Sequence, residues 1–471
     1  MYETNWMSVL PPLLAIALAI ITRQVIVSLG IGIWAGFCIL ESANPFTGLA
    51  LAIEAVVNVF ADAGDTRVLM FTLIIGGLIA TIEKMGGVRG FISLLERRRW
   101  VDNPRRAEWL AYFIGIVVFI ESNMTLLVAG AISRPLFDRY HIAREKLAYI
   151  IDSTSAPVCI MIPLNAWGAI VISLLSSSAI DNQVAVFIGA IAFNFYPITV
   201  IALAAFVIWR NLDIGPMKQA QARTAAGELL WPQATPMVDP AILSPQEDAG
   251  PDDQARLMIV PIAVMVLAMP LGLYLTGDGV ISAGSGSTAV LWAVLAALLA
   301  AWILVLQQKR CTLEQLMQIF LRGAGGLLPV ALILLFALAL GDVANLLGTG
   351  SYVAQLAQET IPFYLLLPLL FLISSFIAFS IGSSWGTFAI MIPLAIQIAV
   401  SLELSASLFL AAVLSGSVFG DHASPISDTT VVASMASATD HIDHVRTQLP
   451  YALISAAIAT MGFLIVGIIA L

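Results

Sequence analysis

Charge is scarce in this sequence. Of its 471 residues only 11% are Asp, Glu, Lys or Arg, while 60% are hydrophobic. Soluble domains carry about 25% charge, so a soluble globular chain is excluded. Cysteine is almost missing. Cys38, Cys159 and Cys311 lie far apart, each in or beside an apolar stretch, which rules out a disulfide framework and a thiolate metal centre. The four histidines show no HxxxH spacing. No Walker-type glycine loop is present, so no ATP site is expected. The N-terminus has neither a basic region nor a small-residue cleavage site, and residues 1–21 read as mature chain. No nucleic-acid partner, cofactor or catalytic group is expected. What fills the chain instead is a series of apolar runs of about 18 residues or more, long enough to cross a bilayer, with a mean hydropathy of +0.96.

Lysine and arginine are also missing from whole loops, and that fixes an orientation, because cytoplasmic loops are enriched in both. The stretches 84–106, 134–146, 210–256 and 309–322 hold nearly all of them, whereas 41–64, 175–186, 275–288 and 341–362 hold none. Placing the first set inside gives a helix pair at 8–22 and 24–40. Spans follow at 67–86, 147–175, 186–209, 257–275, 288–306, 323–341, 406–435 and 449–471. Two apolar stretches remain. A single crossing by 109–135 would put Arg134, Arg139, Arg144 and Lys146 outside. A re-entrant hairpin entering from the cytoplasm avoids this, and a second at 363–400 enters from outside. The expected fold is therefore an all-α polytopic membrane protein with two inverted-topology repeats, each of about five transmembrane helices plus one re-entrant hairpin. Residues 1–210 form the first repeat and 257–471 the second, the plan of secondary transporters. Residues 211–256, with six prolines and seven acidic residues, read as a flexible cytoplasmic linker.

Polar groups at membrane depth are costly and mark a pathway. Four clusters qualify. The first hairpin holds Glu121-Ser122-Asn123-Met124-Thr125, where Ser122, Asn123, Thr125 and unpaired carbonyls suit a small hard cation. The second hairpin repeats this chemistry with Gly382-Ser383-Ser384-Trp385-Gly386-Thr387. Here Ser383, Ser384 and Thr387 are the candidates, and Gly382 and Gly386 also form a GxxxG. The third cluster is Asp152-Ser153-Thr154-Ser155-Ala156-Pro157, in which Pro157 frees an upstream carbonyl beside Asp152 and Ser155. The fourth, Gly420-Asp421-His422-Ala423-Ser424-Pro425-Ile426-Ser427-Asp428-Thr429-Thr430, puts two carboxylates, an imidazole and several hydroxyls into an otherwise apolar span. Pro425 and Gly420 imply an unwound centre there. A carboxylate in that place binds a cation or a proton but hardly both, which is the basis of exchange. Asp421 and Asp428 are the exchange candidates, His422 tunes or titrates, and Ser424, Ser427 and Thr429 supply oxygen. Asn165, Asn194 and Glu54 are weaker candidates for lining the path.

The stretches 382–393 and 420–430 resemble the two signatures of the NhaC-type sodium/proton antiporter family, with Ala423 where that family commonly has cysteine. The wider ion-transporter superfamily has hairpin tips similar to Ser122-Asn123 and Thr125. The resemblance implies Na+ as cargo or coupling ion, H+ as counter-ion and membrane lipid as surroundings. It also implies a homodimer and an elevator-like transport domain in a plasma or inner membrane. Relatives also carry malate and lactate or amino acids, so a Na+-coupled carrier of a small organic anion or amino acid is the alternative. No Arg or Lys lies at either signature to hold a carboxylate substrate, which favours inorganic cations.

Overall fold

The computed structural model describes residues 5–470 except 23, 42–43, 88–89, 91–102, 120–121, 164, 177–179, 181, 237–254, 280–283, 350, 353–354, 356–360 and 426. Among the described residues the chain is helical, with no strand. The first half comprises α1 (Leu10–Thr22), α2 (Val25–Leu40), α3 (Pro45–Asn58), α4 (Ala63–Lys84), α5 (Pro104–Val117), α6 (Ser122–Arg139), α7 (Arg144–Ser153), α8 (Ala156–Cys159), α9 (Ala166–Ser176), α10 (Gln183–Ile191) and α11 (Phe195–Arg210). After α12 (Pro216–Ala225) come α13 (Arg256–Thr276), α14 (Gly286–Gln307), α15 (Leu313–Gly326), α16 (Leu328–Leu346), α17 (Leu366–Ile381), α18 (Ser384–Ser401), α19 (Ala406–Ala423), α20 (Asp428–Ser437) and α21 (His441–Ala470).

Eight helices among the described residues are long and apolar enough to cross a membrane, and a ninth if Leu313–Gly326 and Ala331–Leu346, bent by 46°, count as one. This is a multi-pass membrane protein. The expected spans at 67–86, 257–275 and 288–306 correspond to α4, α13 and α14. The expected span 147–175 is instead three pieces, α7, α8 and α9, and 406–435 is two, α19 and α20. Proline explains both breaks. It cannot donate to a helix ladder and disfavours a helical residue before it, and Pro157 and Pro425 sit at the interruptions.

The outer stretch 41–64, read as a loop, contains α3. Pro45 occupies its first turn and the Asn44 side chain accepts from the Phe46 and Thr47 amides, a helix start by proline and N-cap together. Phe46, Leu49, Ile53 and Val57 form an exposed apolar stripe along it. Glu54 is also exposed, so it decorates this surface and does not line a buried path.

The stretch between the halves also differs from a free linker over the part described, 211–236. The Ile214 amide donates to the Tyr451 hydroxyl at 2.8 Å. Gln221 accepts from the Ala143 amide and donates to the His141 carbonyl. Arg223 grips Glu145 with two bonds of 2.9 and 3.0 Å and stacks on Trp231, 4.7 Å from the ring centroid. The Thr235 amide donates to Asp440 at 2.9 Å. Buried charge demands partners, and the N-terminal parts of α7 and α21 supply them. Residues 237–254 lie outside the described set.

Close helix approach builds the interior. Gly416 and Gly420 of α19 face α17. A Cβ at Gly420 would lie 2.7 Å from Ala378 Cβ and 2.7 Å from the Phe379 amide nitrogen. One at Gly416 would lie 2.9 Å from Ser374 Cβ. The register, 374 beside 416 and 378 beside 420, makes α17 and α19 parallel. Ser384 touches Ser417 and Asp421, so α18 returns antiparallel to both. Helices α17 and α18 are thus a hairpin folded at Gly382, whose φ of +73° is left-handed and suits glycine. In the first half, α5 and α6 pack together, and Gly115 sits directly against Thr154.

Candidate cation and proton site

The tip of the α17–α18 hairpin abuts the break between α19 and α20. Ser383 caps α18 by accepting from the Gly386 amide at 3.3 Å, and the Thr387 hydroxyl donates back to the Ser383 carbonyl at 3.0 Å. Ser384 is thereby held toward α19, where its hydroxyl lies 2.7 Å from one carboxylate oxygen of Asp421. The other Asp421 oxygen accepts from Ser427 at 2.5 Å, and Ser427 is 3.1 Å from the Thr429 hydroxyl. Ser424 donates to the Phe379 carbonyl at 2.7 Å and locks the break to the hairpin. Asp421 is 2% exposed and Ser384, Ser427 and Thr429 are equally enclosed. A buried carboxylate is thus ringed by hydroxyls. The backbone of Asp428 starts α20, and its side chain lies outside the described set.

His422 points away from Asp421. Its Nδ1 is 2.6 Å from the Tyr196 hydroxyl, and its Nε2 is 3.6 Å from Asp152 Oδ2. Three residues this far apart in sequence meet because Asp152 lies in the last turn of α7, just ahead of the break before Pro157. The same oxygen accepts from Gln448 Nε2 at 2.7 Å and lies 3.5 Å from His444 Nε2. Gln448 also donates to the His422 carbonyl at 2.7 Å. Ser155 stays local, donating to the Asp152 carbonyl at 3.1 Å.

The first hairpin tip is occupied with its own turn. Thr125 donates to the Val118 carbonyl, Ser122 is buried at the start of α6, and Glu121 and the Asn123 side chain lie outside the described set. Asn165 holds the tip by donating to the Phe119 carbonyl at 2.9 Å and the Cys159 carbonyl at 2.8 Å. Two residues on, Trp167 packs on Trp385 with ring centroids 4.4 Å apart. The two tips are therefore linked through the segment that follows the α7–α8 break. Trp385 is a packing residue. Asn194 accepts from Ser415 at 2.7 Å and joins α19 to the start of α11.

Of the sequence candidates, Ser384, Asp421, Ser427 and Thr429 come together in one cluster and Asp152 and His422 in an adjoining one, while Thr125 and Thr387 bond within their own turns. Sequence reasoning missed Tyr196, His444 and Gln448. The spacing of His441, His444 and Gln448 along the first turns of α21 was the available signal.

Comparison with known proteins agrees with this architecture. Residues 168–468 match the Na+/H+ antiporter family. An uncharacterized protein of Haemophilus influenzae is 32% identical over 99% of this chain and 92% of its own length. The malate-2H(+)/Na(+)-lactate antiporter of Bacillus subtilis is 36% identical over 28% of this chain and 29% of its own. The YdaH transporter of Alcanivorax borkumensis has a similar fold, with a TM-score of 0.59 over 89% of this chain and 88% of that one, at 14% identity.

Proposed function

This chain belongs to the Na+/H+ antiporter family, and on that premise we propose that it exchanges Na+ or Li+ for H+ at the pocket around Asp421. It is a secondary transporter and not an enzyme. The observation that carries the reading is the Asp421 carboxylate, buried with hydroxyl partners from Ser384 and Ser427. An ionised carboxylate away from water is costly unless neutralised. A hydroxyl can donate to it when the pocket is empty and turn a lone pair to a cation when it is filled. Ser384, Ser427 and Thr429 then complete an oxygen shell of the kind hard cations prefer, and a proton is the alternative way to neutralise Asp421.

Alternating access supplies the exchange. Each half carries a helix pair folded over a proline-broken helix, α5–α6 over α7–α8 and α17–α18 over α19–α20. That parallel supports two inverted repeats with re-entrant hairpins. Helices α1–α4 and α13–α16 pack mainly with one another, which supports a scaffold beside a mobile, elevator-like body; a homodimer is part of the same proposal. The second reading, Na+-coupled transport of an organic solute, takes its support from the Bacillus subtilis relative.

In proteoliposomes, a Na+ gradient should drive proton movement with no organic solute present, and Asp421→Asn should abolish it while the protein stays folded. Wild-type rates in folded Asp421→Asn protein sink the reading, and uptake that needs an organic solute selects the second one. Asp428→Asn belongs in the same experiment, with loss of exchange expected.

A further inference from the structure

We propose that Asp152 and His444 hold a transported proton as a carboxylate–imidazolium pair, in a site separate from the Asp421 pocket. The inference rests on the exchange reading above and adds to it a place for a second proton.

The geometry is that of a cluster short of one proton. Asp152, His422 and His444 are all buried, at 0, 3 and 0% exposure. The two imidazole Nε2 atoms stand 3.6 and 3.5 Å from the same Asp152 oxygen, beyond hydrogen-bonding distance. Asp152 Oδ1, His422 Nε2 and both ring nitrogens of His444 have no hydrogen-bond partner. Buried polar atoms seldom stay unpaired, and four in one cluster point to a ligand that comes and goes. One proton on His444 would turn the 3.5 Å gap into a charge-assisted hydrogen bond.

The charges around the cluster leave this role open. On α7, Lys146 is taken by Glu108 at 2.8 Å and Asp213 at 3.0 Å, Glu145 by Arg223 of α12, and Arg144 by Asp138. Tyr196 on α11 bonds to His422, and Tyr149 on α7 stacks on Tyr451 of α21 with ring centroids 4.5 Å apart. On α19 Asp421 is taken by Ser384 and Ser427. On α21 His441 contacts Ser434 and the Pro425 carbonyl, while Asp443 and Arg446 sit beside Glu145 and Arg223. With both imidazoles neutral, the cluster carries one uncompensated negative charge, and one proton cancels it. Asp421 and His422 are neighbours on the last turn of α19, one facing each site, and Gln448 ties that turn to Asp152. The two sites thus adjoin across one helix turn without sharing a carboxylate.

The chain has four histidines, so ring-nitrogen NMR on histidine-labelled protein resolves them, with His444→Gln giving the assignment. In Na+-free protein, His444 should change from neutral to charged across the pH range in which exchange runs. In Asp152→Asn its midpoint should fall by about one pH unit or more, a tenfold loss of proton affinity, as removal of an adjacent opposite charge requires. Na+ binding to His444→Gln should stay within about threefold of wild type, while pH-dependent proton uptake drops by about one per molecule. A His444 that stays neutral throughout, or a midpoint indifferent to Asp152→Asn, overturns the proposal. Titration as described in a protein that binds no Na+ would uphold the proton site and overturn the cation reading.

Discussion

Adding one methyl group at Gly420 tests how tightly packing and site are joined. In Gly420→Ala the new Cβ would lie 2.7 Å from Ala378 Cβ and 2.7 Å from the Phe379 amide nitrogen. Carbon–carbon contacts settle at about 3.5–4.0 Å, so α17 and α19 must part by about 1 Å. The obstacles are backbone and a Cβ, and no rotamer change relieves them. Overpacking of this kind costs about 1–3 kcal/mol. The same interface carries the 2.7 Å bond from Ser424 to Phe379, which holds the break against the hairpin tip from which Ser384 reaches Asp421 at 2.7 Å. A shift of about 1 Å takes the first past bonding distance and, by displacing the tip, strains the second. Losing a hydrogen bond to a charged group removes about 1.5–3 kcal/mol, which at about 1.4 kcal/mol per decade is a ten- to hundredfold loss. The Na+ concentration for half-maximal exchange in proteoliposomes should therefore rise about tenfold or more, with a lower unfolding temperature. The control is Gly325→Ala, where a Cβ meets nothing within 4 Å and alanine favours the helix by up to about 1 kcal/mol. Unchanged half-saturation in Gly420→Ala would refute the link between this crossing and the pocket.

Two further expectations concern the anchored stretch 211–236. Arg223→Met leaves Glu145 buried and unpaired, with side-chain exposures of 4 and 0% for the pair. It should cost about 3–5 kcal/mol of stability, and the double change with Glu145→Met should recover much of it. Equal unfolding midpoints for the single and double variants would remove the ion pair from the account. Partial burial pushes the Asp440 carboxyl up, but hydrogen bonds from the Thr235, Asp443 and Ile442 amides and the Thr235 hydroxyl outweigh it and hold it below the usual carboxylate range. Its stabilising contribution is thus fully present above the unfolded value of about 3.9 and is lost only as pH falls through the lower folded value. Hydrogen-exchange protection of residues 230–236, corrected for intrinsic rate, should be equal at pH 7 and pH 5. In Asp440→Asn it should already be reduced at pH 7.

The breaks were legible because proline and glycine act locally. Pro157, Pro425 and Gly382 interrupt helices where the sequence places them, and the polar residues beside them are the ones buried at the centre. Longer-range choices were not legible. His444 and Gln448 were not singled out, because nothing within α21 reveals that Asp152, some 300 residues earlier, closes over them. Thr125 had the chemistry of a ligand but spends its hydroxyl on its own turn. The GxxxG that brings two helices together is Gly416–Gly420, not Gly382–Gly386, whose first glycine makes a turn and whose second rests against Val25. Composition gave 211–256 the look of a tether, and only the buried Glu145 explains why Arg223 is anchored.

That anchored stretch has a mechanical consequence. It fastens the base of α7, through Glu145, and the turn before α21, through Asp440, to one short piece of chain. The helices bearing Asp152 and Gln448 are yoked at the same end, so they cannot swing apart there like the leaves of a door. Any movement of one of these helices has to carry the other as a passenger on a single raft.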